Sequence, residues 1–273
     1  MQKRVAHSVG LGDGLFFDRL DKACRHLNNF RDGPDQGGLP SRAVEIGTGW
    51  FPIVPIALWL CGVGTVETYD LSRHATDTRL SQTIEHFIIA WKNGRLARAL
   101  PDLDRDRISR LKRMAQNRIP SELVEGLAEL GIHYAIAPIG PERIPRGSVD
   151  LVFSTAVLEY LPYPALVGLL RECCDSLSPK GVVSHWVDLS DEYAYFDRDI
   201  TPFNFLRFSD RAWRLINNPI IPLSRLRLDE YRRACKGRTN FRPLRRSKTR
   251  PVAAGCLNDE GARSGPFIVR RRP

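Results

Sequence analysis

The fold of this chain is decided by one stretch, Arg42–Pro52, which reads RAVEIGTGWFP. Its beginning is a short β-branched run typical of a buried strand, and Gly47 and Gly49 follow at once. The next segment, Ile53–Leu60, is apolar and has the length of a buried helix. The stretch therefore predicts a strand, a glycine turn and a helix. Glycines in such a turn permit positive φ and let a ligand approach the backbone, and the helix N–H groups face that ligand.

The details of this turn argue against a nicotinamide dinucleotide. The dinucleotide fingerprint has a third glycine for close packing of the helix on the strand, and Phe51 and Pro52 occupy that region here. Glu45 adds a carboxylate at the mouth of the turn. A carboxylate repels phosphate but suits a ligand with an ammonium or sulfonium charge. The sequence therefore disfavours a dehydrogenase, and the alternative without function is a tight βα turn with a surface glutamate.

A second acidic residue lies where the same kind of site needs one. The next predicted strand is Thr65–Asp70, and Asp70 ends it 21 residues after Gly49. This is close to the spacing of about 20 residues at which an acidic side chain binds ribose hydroxyls in related α/β folds. Aspartate is also a common turn-former at strand ends. At this distance from the glycine turn we interpret Asp70 as a ligand-binding residue.

The remaining chain continues the alternation of helices and strands. Further strands are predicted at 132–137, 148–154, 182–189, 240–248 and 266–270. A helix begins after Pro162, and Ser178–Gly181 reads as a combined helix stop and turn. The pattern predicts an α/β fold with a mostly parallel sheet, and the segments 240–248 and 266–270 are interpreted as a closing antiparallel pair of strands.

Motifs at residues 40–190 resemble, in unbroken order, those of the class I S-adenosylmethionine (SAM)-dependent methyltransferases. Glu45–Gly49, EIGTG, is similar to the first motif of that family, in which the acidic residue and glycines line the methionine half of SAM. The strand at 148–154, continued through Leu161, is similar to the fourth motif. The sequence LSPKG at Leu177–Gly181, between a helix and a strand, has the same order in the family.

The resemblance implies a Rossmann-like, seven-stranded methyltransferase sheet with helices on both faces and SAM as the cofactor. The implied cofactor-binding residues are Glu45, Gly47, Thr48, Gly49, Asp70, Leu71, Ser154 and Thr155. It also implies an enzyme that transfers methyl to a small-molecule acceptor with an oxygen nucleophile. The segment after residue 185 resembles a subgroup associated with sugar and polysaccharide biosynthesis, and secondary metabolism is a further expectation.

A hydroxyl acceptor needs a general base. Our candidates are Asp188 and Asp191, near the carboxyl end of the fifth strand, and His185 within it. A histidine inside a strand is also typical of a hydrogen-bonded core residue, and Glu159 reads as a carboxylate at a helix start.

The predicted domain, 41–273, follows an N-terminal helical extension, 1–40, and contains a helical insertion at 72–131. The extension carries an amphipathic helix at about 14–30 that covers either the cofactor or the sheet edge. Three helices are predicted in the insertion, which is placed to form a lid or an acceptor pocket.

The positive charge of the chain is concentrated at its C-terminal end. Residues 201–273 hold 18 Lys and Arg against 5 Asp and Glu, whereas residues 1–200 are slightly acidic. Such a basic segment leaves RNA open as an alternative acceptor, but the sequence has no recognised RNA-binding module and favours a small molecule. A non-catalytic SAM-binding module is the other alternative, because no acidic residue follows the third strand, where many of these methyltransferases contact adenine.

Composition bounds the remaining expectations. The six cysteines show no ligand spacing, so no metal site is predicted, and they indicate a reduced, cytoplasmic protein. No signal segment or membrane span is expected. The sequence contains no feature from which an oligomeric state can be predicted.

Overall fold

A computed structural model describes residues 10–32, 38–116, 122–195, 197, 199–217, 222–236, 241–243 and 264–271. One sheet organises this part of the chain. Its strands are β1 (Arg42–Ile46), β2 (Thr65–Asp70), β3 (Ile132–Ile136), β4 (Val149–Thr155), β5 (Leu177–Asp188), β6 (Phe241–Pro243) and β7 (Ser264–Arg271). They lie in the order β3-β2-β1-β4-β5-β7-β6.

The first five strands are parallel, and β7 runs antiparallel to β5. Six of the described strands have five residues or more, and β6 is a three-residue pairing at the edge. The predicted α/β fold with an antiparallel last strand is therefore confirmed. The predicted count of seven strands is reached only if the three-residue β6 is included, and six strands have the usual length. Part of the predicted strand at 240–248 lies outside the described residues.

Helices cover both faces of the sheet. They are α1 (Asp13–Arg31), α2 (Ile53–Leu60), α3 (Asp77–Lys92), α4 (Arg95–Ala99), α5 (Arg105–Gln116), α6 (Leu123–Glu129), α7 (Tyr163–Ser176), α8 (Asp210–Ile216) and α9 (Leu228–Lys236). Helices α1 to α6 contribute to one apolar core, and α7 and α9 contribute to a second core on the other face. Burial on both faces explains the consecutive apolar residues in the middle of β1 (Ala43 and Val44) and of β4 (Leu151–Phe153).

The helical insertion has four helices in its described part, not the predicted three. Gly94 separates α3 from α4, and its φ of 71° is in the left-handed region that favours glycine. The periodicity across residues 84–96 suggested one helix because side chains on both sides of this break, Ile84 and Leu96, are buried in the same core. No described helix has both the length and the apolar character needed to cross a membrane.

Strand β5 begins five residues earlier than predicted, because the predicted turn at Ser178–Gly181 lies within the strand as an irregularity. The register with β4 shifts between the pairs Val149–Leu177 and Leu151–Val182. Gly181 permits this close approach, since a Cβ on it would lie 2.8 Å from the backbone oxygen of Val149. A tetrapeptide of turn-forming residues is therefore also compatible with a bulged strand.

Candidate functional site

Four of the predicted ligand-binding residues meet at the carboxyl ends of β1 and β2. Thr68 donates its hydroxyl to Glu45 Oε2 at 2.5 Å, and the hydroxyls of Thr68 and Thr48 are 2.6 Å apart. The Gly49 N–H donates to Asp70 Oδ2 at 3.0 Å. Thr68 is a residue that sequence reasoning missed. Its signal was its place on β2, because the parallel register pairs it directly with Glu45.

Both glycines of the turn have left-handed backbone conformations that favour glycine. Gly47 has φ +80°, and a Cβ on it would lie 2.4 Å from Cγ2 of Val157, which packs against the turn from beyond β4. Gly49 has φ +67°, but no atom lies within 4 Å of its Cβ position. The backbone at Gly49 is therefore open to a ligand, while the backbone at Gly47 is sealed by protein.

Glu45 lies beneath this turn, not at its mouth, and only 2% of its surface is exposed. Burial raises the pKa of its carboxyl group to about 8, the hydrogen bond from Thr68 lowers the pKa, Asp70 raises it further, and Arg19 lowers it. The surface glutamate of the simplest alternative interpretation is thus wrong. A cationic group bound near Glu45 would favour the ionised carboxylate.

Asp70 ends β2 with its carboxylate on the open side of the turn. Its second oxygen, Oδ1, accepts the N–H of Ser72 at 3.1 Å. Two exposed apolar side chains lie beside Asp70. Leu71 follows it in sequence and is 72% exposed, and Ile136, which pairs with Asp70 in the register of β2 and β3, is 45% exposed. A carboxylate flanked by exposed apolar surface suits a nucleoside, which has ribose hydroxyls next to a flat, apolar base.

Ser154 and Thr155 point to opposite faces of β4. Ser154 Oγ lies 2.7 Å from His185 Nδ1, and Thr155 Oγ1 lies 3.2 Å from Nε2 of His26 on α1. Both side chains are buried. Ala156 follows with φ 57°, a left-handed conformation that is uncommon for a residue with a side chain and is found at functional sites.

The three candidate bases do not share one environment. His185 is fully buried inside the sheet, and burial lowers its pKa to about 3. Asp188 ends β5 and accepts hydrogen bonds from the N–H and hydroxyl of Ser190 at 2.8 and 2.6 Å. Asp191 is buried and accepts the N–H of Tyr193 at 3.0 Å. Only Asp188 combines partial exposure with a position at the carboxyl edge of the sheet.

Glu159 adds a buried acid near Asp188 that the sequence did not single out as a site residue. Glu159 is 3% exposed, and neither of its carboxyl oxygens has a hydrogen-bond partner of good geometry. The backbone amides of Glu159 and Asp188 nevertheless lie close enough to lower its pKa. Burial dominates and raises this pKa well above its usual value, and Asp188 and Glu192 raise it further. The hydroxyl of Tyr160 donates to Glu192.

Solved structures that are similar to this chain include methyltransferases with bound S-adenosylhomocysteine (SAH). The magnesium protoporphyrin IX methyltransferase ChlM from Synechocystis PCC 6803, with bound SAH, matches with a TM-score of 0.50 and 11% identity over 99% of this chain and 92% of its own. The plantazolicin methyltransferase BpumL, in complex with SAH, matches with a TM-score of 0.50 and 10% identity over 94% of this chain and 85% of its own.

A third structure, the CurJ carbon methyltransferase, is 11% identical with a TM-score of 0.43, and the match covers 88% of this chain and 50% of that protein. No protein-family model matches the sequence, and no curated protein matches it. The matches to ChlM and BpumL show that this chain has the class I methyltransferase fold. Among the described residues, no group of three His, Cys, Asp or Glu side chains is arranged to hold a metal ion.

Proposed function

We propose that this protein transfers a methyl group from SAM to a small-molecule acceptor. One observation carries the proposal: a buried acid, Glu45, and a second acid, Asp70, are joined through Thr68, Thr48 and Gly49 into one site around an open glycine turn. This site lies at the carboxyl ends of adjacent parallel strands, where open α/β sheets bind ligands. The fold shared with SAH-bound methyltransferases supports the same cofactor.

The residues around the turn fit the parts of SAM. In this assignment Gly47, Thr48 and Gly49 shape the backbone beside the methionine half, and Glu45 favours its positive charges. Asp70 accepts the ribose hydroxyls, and Leu71 packs against the base. Ser154 and Thr155 support the far wall from within β4, since both are buried.

When bound, SAM supplies an electrophilic methyl group on a sulfonium. The task of the protein is then to hold a nucleophile in line with that methyl group and to accept its proton. We assign an oxygen nucleophile and give Asp188 the role of base, with Asp191 as the second candidate. His185 is a weaker candidate, because it is fully buried and its imidazole bonds to Ser154, and because burial lowers its pKa to about 3, which makes it a poor proton acceptor.

Binding of S-adenosylhomocysteine, measured by titration calorimetry, tests the cofactor assignment. We expect Asp70→Asn to weaken binding about tenfold or more, because a charged acceptor of the ribose hydroxyls becomes a neutral one. Asp102→Asn is the matched control, since Asp102 is exposed and pairs with Arg31. Wild-type protein that binds neither S-adenosylhomocysteine nor SAM at millimolar concentration would remove the enzyme assignment.

Labelled SAM incubated with the protein and a cell extract tests the acceptor. We expect the label in small metabolites of sugar, polysaccharide or secondary metabolism, and a large loss of transfer for Asp188→Asn but not for the exposed Asp229→Asn. Label in RNA would instead support the second candidate function, which the basic C-terminal segment favours. Cofactor binding without any transfer would support a non-catalytic module. The cytoplasmic location is part of the same proposal, and cell fractionation tests it.

A further inference from the structure

The N-terminal helix α1 lies on the sheet in a direction that carries its first turns to the ligand-binding edge. Asn29 Nδ2 donates to Ser184 Oγ at 2.9 Å, and His26 Nδ1 lies 2.8 Å from the same oxygen. The ammonium of Lys22 lies 4.1 Å from the ring centre of Trp186. Contacts therefore move toward the carboxyl end of β5 as the helix is followed back toward its start.

The spacing of these contacts places Arg19 at the edge. From His26 to Lys22 the helix rises about 6 Å, which matches the two strand residues from Ser184 to Trp186. Arg19 is a further turn back, about 4.5 Å beyond Lys22, and β5 ends two residues after Trp186, at Asp188. Arg19 therefore lies level with the carboxyl ends of the strands, near enough to Glu45 for its charge to act on that buried carboxyl group.

Of the two cations nearest the start of this helix, Lys22 and Arg19, only Arg19 has accessible donors. The side chain of Lys22 is 6% exposed, held between Asp18 at 2.7 Å and the Trp186 ring. The side chain of Arg19 is 29% exposed, and one guanidinium nitrogen bonds to Asp18 at 3.0 Å. A guanidinium has five N–H donors and binds a carboxylate with two of them in parallel.

We propose that Arg19 binds the α-carboxylate of the cofactor, so that α1 forms part of the cofactor site. This inference rests on the proposed function. The methionine half of SAM ends in a zwitterion, an ammonium beside a carboxylate. The buried acid Glu45 favours the ammonium, and Arg19 is the opposite charge needed for the carboxylate. The sequence left open whether this helix covers the cofactor or the sheet edge. If Arg19 binds the carboxylate, α1 covers the cofactor.

The test compares two ligands that differ only at the amino-acid end. S-adenosylhomocysteine has the zwitterion, and 5′-methylthioadenosine has the same nucleoside thioether without it. Calorimetric titration of the full chain should show that Arg19→Gln weakens S-adenosylhomocysteine binding about tenfold or more and leaves 5′-methylthioadenosine binding unchanged. Arg19→Lys should give an intermediate loss, because lysine keeps the charge without the planar fork.

Arg25→Gln is the matched control. Arg25 is on the same helix, its side chain is 32% exposed and it bonds to Asp21 at 2.6 Å. Its guanidinium lies 5.3 Å from the ring centre of Trp186, but its backbone is six residues, about 9 Å, farther along the helix from the ligand-binding edge than that of Arg19. We expect it to bind both ligands as the wild type does. The role of Arg19 would be overturned if Arg19→Gln bound S-adenosylhomocysteine as tightly as the wild type, or if it lost affinity equally for both ligands. It would also be overturned if Arg25→Gln lost as much affinity for S-adenosylhomocysteine as Arg19→Gln. Wild-type protein that binds neither ligand would instead remove the proposed function itself.

Discussion

Gly47 is constrained both by its own backbone and by a neighbour. Its φ of +80° is strained for any residue with a side chain, and a Cβ would overlap Val157, at 2.4 Å from Cγ2. The turn and the segment after β4 are thus packed as one unit. A single methyl group added at Gly47 would therefore disturb both the turn and the segment after β4.

We expect Gly47→Ala to lower the free energy of unfolding by about 2–4 kcal/mol, through backbone strain and overpacking together. Urea denaturation measures this change. Adding Val157→Ala should recover part of the loss, because the overlap disappears while the strain remains. A double variant no more stable than expected from two independent losses would show that Val157 does not limit this position.

The buried carboxyl group of Glu45 makes stability depend on pH. Folding raises its pKa from the usual 4.5 to about 8, so the folded protein keeps a proton that the unfolded chain releases. Its contribution to stability is therefore full below about pH 4.5 and is lost as the pH rises to about 8. We expect Glu45→Gln to reduce the decline in unfolding free energy between pH 5 and pH 8, by on the order of a few kcal/mol.

Urea denaturation at several pH values measures the effect of Glu45→Gln. Glu67→Gln is a useful comparison, because Glu67 is paired with Arg42 on the same pair of strands and its pKa is lowered in the folded state. The Glu67 variant should leave the alkaline decline in place. An identical pH profile for wild type and Glu45→Gln would contradict the raised pKa.

At the scale of whole elements, α1 is held on the sheet by polar as well as apolar contacts. Its apolar side chains Phe16, Leu20 and Leu27 belong to the same core as α2. Its buried polar side chains His26 and Asn29 both bond to Ser184 on β5. Burial lowers the pKa of His26 to about 3, so this imidazole is neutral when the helix is in place. The polar contacts fix the position of a helix that apolar packing alone would hold less specifically.

We expect Ser184→Ala to lower the free energy of unfolding by about 1–3 kcal/mol, since one hydroxyl serves two buried groups and its loss leaves both without that partner. It should also increase hydrogen exchange of the α1 amides more than that of α6, which packs against β3 at the edge of the sheet. Ser109→Ala is the control, because the exposed Ser109 bonds to its own helix at Arg105. Equal stability of Ser184→Ala and Ser109→Ala would argue against this anchor.

At the scale of the whole molecule, the proposed cofactor contacts parts of the chain that are far apart in sequence: the turn after β1, the end of β2 and, through Arg19, helix α1. A ligand that binds only when these parts are assembled stabilises the folded state. We therefore expect cofactor binding to couple the N-terminal helix to the sheet.

S-adenosylhomocysteine at 100 times its dissociation constant should stabilise the folded protein by about 2.7 kcal/mol and raise the unfolding midpoint by about 5–10 °C. Thermal unfolding followed by circular dichroism measures the shift. Nicotinamide adenine dinucleotide at the same concentration is the control ligand and should leave the midpoint unchanged, because Phe51 and Pro52 stand in the region of the third glycine. A larger shift with the dinucleotide would reverse the assignment.

The sequence by itself determined the order of strands β1 to β5 and the residues around the glycine turn. Strand β2 and helix α2 have the predicted ends, because their periodicity and bounding residues are local properties. The tertiary structure decided what local patterns do not contain. It placed Glu45 under the turn against Thr68, turned Ser178–Gly181 into part of β5, and buried Glu159 near Asp188. Burial, register and the pKa values they set depend on contacts between segments remote in sequence, and only the packed chain fixes those contacts.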